Sequence, residues 1–170
     1  MEALGKAHLQ LLILLKNIAS VIIFISFVLI VLDVALIMFG YSGREATMGL
    51  VEYGLLWFTM LAAPWLARIK GHVYIDALTE FFNPAVQQVA AKLAYVVAIA
   101  GASISGWFSV DLWWEAYSTG MIDERGVELM QWWLYAPMPI GFFLVAIEFL
   151  RYLIGIDDMY GSRTEVKEGM

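Results

Sequence analysis

A chain of 170 residues that is 62% hydrophobic and only 15% charged, with a mean hydropathy of +0.76, lies well outside the composition of a soluble domain. A net charge of −6 and the absence of cysteine leave nucleic acid without a basic surface and exclude disulfides, thiolate metal sites and thiol nucleophiles. What remains is an all-α integral membrane protein: continuous apolar runs such as Ile22 to Leu32 lack the alternation of a barrel strand, and a helix satisfies its own backbone in lipid.

At roughly 20 apolar residues per crossing, four transmembrane helices are predicted near residues 18–38, 47–67, 89–113 and 130–154. The remaining loops and tails are too short to bury a soluble core, so residues 1–170 read as a single four-helix transmembrane domain. Lys6 followed by an apolar run has the look of a signal peptide, but the length of the run and the lack of a small-residue cleavage site argue against removal. The run from Leu9 to Leu15 is apolar too, and Lys16 can snorkel to the headgroups, which predicts a long, tilted first helix.

Ser42, Gly43, Arg44 and Glu45 form a capping box at the start of the second helix. Glu52 then lies roughly 10 Å along it. An acid at that depth should face protein; it is either a proton or ion site or a group paired with a neighbouring helix or subunit, and the second reading is preferred. Pro64 should kink this helix, which ends on the basic pair Arg68 and Lys70. Residues Val73 to Phe82 read as a short interfacial segment, and Asn83 with Pro84 opens the third helix.

Asp33 and Asp111 lie toward the outer ends of the first and third helices, where they read as anchoring residues. The fourth helix carries Pro137 and Pro139, which make its outer half irregular, and ends near Gly155. Glu148 and Arg151, three apart, read as a local ion pair. Trp113, Trp114, Tyr117, Trp132, Trp133 and Tyr135 gather at the outer face as an aromatic belt, preferred here over a ligand box.

Of the ten Lys and Arg residues, Lys6, Lys16, Arg68, Lys70, Lys92, Arg151, Arg163 and Lys167 fall on one side of the predicted topology and only Arg44 and Arg125 on the other. Both termini are therefore expected in the cytoplasm. His8 and His72 lie at the boundary rather than within spans, which speaks against bis-histidine haem ligation. Neither a phosphate loop, a metalloprotease motif nor a nucleophile with a partnered histidine occurs, so no catalytic centre, metal site or cofactor is expected in this chain.

The run from Glu52 and Trp57 through Arg68, Lys70, Gly71, His72, Val73, Tyr74, Ile75, Asp76 and Leu78 resembles the signature of the small membrane subunit of tripartite ATP-independent periplasmic (TRAP) transporters. Tyr135, Pro139, Ile140 and Gly141 resemble a second family motif in the fourth helix, whereas Ala62, Ala63 and Pro64 depart from the pattern. The resemblance implies a scaffold subunit in the bacterial inner membrane, part of a sodium-driven organic-acid uptake system. Its implied partners are a large multi-span subunit holding the solute and sodium sites, a periplasmic solute-binding protein, and lipids. It further implies subunit contacts at Glu52, Trp57, Arg68, Lys70, His72 and Asp76, and binding-protein docking at Arg44, Glu45, Asp123, Glu124 and Arg125. Two other classes remain open: a stand-alone small transporter that uses Glu52, and the membrane anchor of a redox enzyme.

Overall fold

The computed structural model describes residues 2–41, 45–69, 84–124 and 126–155. Helix α1 (Glu2–Met38) is followed by α2 (Glu45–Arg68), α3 (Pro84–Thr119), a two-stranded hairpin of β1 (Ile122–Asp123) and β2 (Leu129–Met130), α4 (Gln131–Tyr135) and α5 (Pro137–Ile154). Among the described residues four helical stretches, with α4 and α5 counted together, are long and apolar enough to cross a membrane. At 1.5 Å per residue the 37 residues of α1 extend about 55 Å, well beyond a hydrocarbon core of about 30 Å. A helix of that length crosses tilted or emerges into the headgroups.

The helix ends have local causes. At the end of α1 the chain turns on Gly40, whose φ of 85° is open to glycine, and Tyr41 N–H reaches back to Leu36 O at 3.1 Å. Helix α5 closes in the same way on Gly155, whose N–H is turned to the carbonyls of Arg151 and Tyr152. Between α4 and α5 the backbone at Ala136 keeps α-helical angles, and the break arises because Pro137 and Pro139 offer no N–H to the preceding turn. The predicted irregularity of the fourth span is thus a five-residue helix set ahead of a straight one.

Two features differ from the sequence reading. Helix α3 continues to Thr119, past the predicted end of its span, and the following loop folds into an antiparallel hairpin pairing Ile122 with Met130 and Asp123 with Leu129. Strands of two residues are too short to show alternation, so this pairing leaves no sequence signal. The Ser42 capping box and the interfacial segment from Val73 to Phe82 lie outside the described residues.

The helices stand in a row rather than a closed bundle: α1 packs on α2, α2 on α5, and α5 on α3, with α4 against α3. On α1 the buried residues Leu12, Ala19 and Ser26 recur every seven positions, the repeat that holds one seam against a neighbour. Helices α2 and α5 run parallel, with Trp57 beside Trp133, Met60 against Gly141 and Ala67 against Tyr152. Only 6% of the most apolar window of α1 is buried, against 28% for α2, so the flank helix turns most of its surface away from this chain.

The α2–α5 contact depends on a proline and a glycine. Pro64 lacks the N–H that would bond Met60 O, and that carbonyl is seated against Gly141 of α5. A Cβ on Gly141 would lie 2.5 Å from Met60 O, closer than atoms approach, and the obstacle is backbone. Gly54 is equally close to Ser26, but there the obstacle is the hydroxyl of a side chain, with Oγ 2.5 Å from the added Cβ. Gly141→Ala is expected to destabilise the protein by about 1–3 kcal/mol in thermal unfolding in detergent. Gly54→Ala should recover when combined with Ser26→Ala; equal and unrelieved losses at both positions would contradict this packing.

Candidate functional site

Near the C-terminal ends of α2 and α5, a carboxylate on α5 joins three helices. Glu148 is 1% exposed, and its Oε1 accepts from His8 Nε2 of α1 at 2.5 Å and from Arg68 Nη1 of α2 at 3.3 Å. Arg151 Nη1, one turn along α5, reaches Oε1 at 3.3 Å and Oε2 at 3.2 Å. An isolated carboxylate at this burial would be strongly disfavoured, and the two guanidiniums offset that cost by supplying charge and donors together. Because the donors belong to different helices, the carboxylate sets their relative height.

Two further contacts fix the same end. Tyr152 Oη turns to the carbonyls of Ala67 and Arg68, at 2.8 and 2.9 Å, satisfying acceptors that the end of α2 leaves without helical donors. The Tyr152 ring stacks on Tyr95 of α3 at 5.8 Å, within a buried cluster that includes Ala91. Lys16 of α1 holds its ammonium 4.8 Å from the centroid of Trp65 on α2, a cation–π contact. All four spans therefore meet at this end.

The opposite end is aromatic. Rings form a connected path from Trp57 on α2 to Trp133 (6.3 Å), Trp132 (4.9 Å), Tyr117 on α3 (5.9 Å) and Trp113 (5.8 Å). Beside it lies a cavity of about 320 Å³ lined by Tyr53, Trp57, Leu129, Met130, Trp133 and Leu134, with Asp123 of the hairpin. Among the described residues no group of His, Asp and Glu is arranged to hold a metal ion.

Of the residues singled out in the sequence, Arg68 enters the Glu148 cluster, Trp57 is half-buried in the aromatic path, and Glu52 lies at the surface of α2. Lys70, His72, Asp76, Arg44 and Arg125 lie outside the described residues, as does the side chain of Glu45. The outer-loop acids separate: Asp123 is buried beside the cavity, while Glu124 is exposed. The local Glu148–Arg151 pair is present, but it is one part of a larger cluster that reasoning from i,i+3 spacing did not assemble. A signal did exist, since His8, Arg68 and Arg151 fall at the same predicted membrane boundary as Glu148.

Four apolar helices with the Glu148 ion pairs at one end and a path of aromatic rings at the other define a multi-pass α-helical membrane protein. Its kind follows from a match of residues 26–157 to the family model described as "Tripartite ATP-independent periplasmic transporters, DctQ component"; the chain belongs to this family of small TRAP transporter membrane subunits. Comparison with curated proteins and with solved structures gave no match. The matched region contains Arg68, Glu148 and Arg151 but starts after His8.

Removing the central carboxylate leaves two guanidiniums without their shared acceptor. Glu148→Ala is expected to lower stability by about 3 kcal/mol, at the low end for a broken buried pair because the arginines keep some contact with solvent. His8→Ala should lower it by about 1 kcal/mol, the scale of one hydrogen bond. Thermal unfolding in detergent, followed by tryptophan fluorescence, measures both; a His8 effect equal to that of Glu148 would contradict the assigned centre.

Proposed function

We propose that this chain is the scaffold subunit of a TRAP-type secondary transporter that takes up organic acids with a sodium gradient. The observation that carries the reading is the family match over residues 26–157, to which the open row of helices adds a physical rationale. A row with a lightly buried flank helix has apolar surface to offer a neighbour. On this reading the large multi-span subunit holds the solute and the sodium ions, a periplasmic binding protein delivers the solute, and this chain carries neither cofactor nor ion. It widens the static part of the assembly so that a moving part has a fixed reference in a deformable bilayer.

The Glu148 end is placed in the cytoplasm of a bacterium and the hairpin end in the periplasm, following the distribution of Lys and Arg. Glu52 and Trp57 on α2, with Arg68, Lys70, His72 and Asp76 at its end, are proposed to face or support the large subunit. Arg44, Glu45, Asp123, Glu124 and Arg125 are proposed to face the binding protein, with Asp123 acting from within the hairpin rather than by direct exposure.

Three measurements test this. The chain has no cysteine, so a single Ser118→Cys should react with an impermeant maleimide on intact cells, whereas Lys6→Cys should react only after permeabilisation; the reverse pattern overturns the orientation. Glu52→Ala should weaken retention of the large subunit by about 3 kcal/mol if the acid is part of a buried pair in the complex. Unchanged co-purification removes Glu52 from the interface. Liposomes containing the whole three-part system should accumulate an organic acid on a sodium gradient, and uptake by this chain alone would overturn the scaffold reading.

A further inference from the structure

Helix α3 stands at one end of the row, and the chemistry of its outward face changes along its length. Its buried residues, Ala91, Tyr95, Ala102, Gly106, Ser109 and Ala116, lie on one side, turned to α5 and α4. At about 100° per residue, the opposite side is formed by Leu93, Val97, Ile104, Trp107, Phe108, Asp111 and Trp114. As far as Ile104 this face is aliphatic, and lipid tails satisfy it. From Trp107 onward it is not: Trp107, Phe108 and Trp114 are 67%, 66% and 60% exposed, and the exposed carboxylate of Asp111 lies among them, within a span.

We propose that this stripe is a docking surface for a transmembrane segment of the large membrane subunit, and that Asp111 receives an arginine or lysine of that segment on the face that also carries Trp107 and Trp114. The inference rests on the subunit reading above. Among the described residues, no ion pair or hydrogen bond holds the Asp111 side chain. An acid one turn inside the aromatic belt, turned away from its own chain, is costly against lipid tails. The next residue on the same face, Glu115, is also acidic and exposed, and like charges four apart on a helix repel.

A cation from outside relieves both penalties. Trp107 and Trp114 lie four residues before and three after Asp111 on the same exposed face, so both indoles are near enough for a cation paired with the carboxylate to meet one of them. Arginine suits the position best, since its guanidinium pairs with a carboxylate while stacking on an indole. Position within the row agrees: α5 covers the inner side of α3, and a neighbour on the outer side extends the row by one helix without disturbing it.

The test uses the tagged chain co-expressed with the large subunit. Asp111→Asn and Asp111→Arg should reduce retained large subunit by roughly thirtyfold or more, the loss expected when one partner of a desolvated pair is removed. Each variant must still enter the membrane and run as a single species, so that loss of binding is separated from loss of folding. A photo-crosslinker attached at Phe108→Cys should join the large subunit. Full retention by Asp111→Arg, or adducts at Phe108 formed only with lipid or with a second copy of this chain, would overturn the proposal. If the unaltered chain itself retained no large subunit, the subunit reading would fall and this inference with it; retention by the unaltered chain and Asp111→Arg alike would sink the inference alone.

Discussion

The arrangement of the spans depends on a single buried carboxylate. Glu148 lies where α1, α2 and α5 converge, and its two oxygens are shared among an imidazole and two guanidiniums. Within a membrane the hydrophobic effect does little to draw one helix against another, because lipid is as good a neighbour for leucine as another leucine is. Specific polar contacts and close backbone approach must then decide which helices pair and at what height. The Glu148 cluster supplies the first of these and the Gly141–Met60 contact the second.

Both act on the α2–α5 pair, and the remaining helices attach to it. Helix α1 joins through a seven-residue seam and through His8; α3 joins through the Tyr95–Tyr152 stack and the aromatic path at the opposite end. Three of the hydroxyls inside the spans add no tie between helices. Ser26, Thr59 and Ser109 each return their proton to the carbonyl four residues earlier, so they are satisfied within their own helices. A central pair with two flank helices is the arrangement on which the proposed scaffold reading draws.

The TRAP family and its four-span architecture were both legible in the residues. Hydropathy located the spans, and the motif around Glu52, Arg68 and Asp76 pointed to the family that the match over residues 26–157 then established. The site was less legible. Glu148 and Arg151 sit close in sequence, so their pairing follows from helical period; Arg68 lies 80 positions from Glu148 and His8 lies 140, and no local rule joins residues at those distances. Pro64 looked like a departure from the family pattern, and only its neighbour across the helix contact explains how it is accommodated.

By itself the sequence determined that this chain crosses a membrane, how many times it does so, where its polar and aromatic residues cluster and which family it resembles. These are properties of composition and period, which lipid imposes segment by segment. The tertiary structure decided which helices adjoin, that they form an open row, that Glu148 is the centre of the charged end, and that Asp111 faces away from the chain. Those outcomes depend on where separate helix faces meet, and a face becomes inner or outer only once its neighbours are in place.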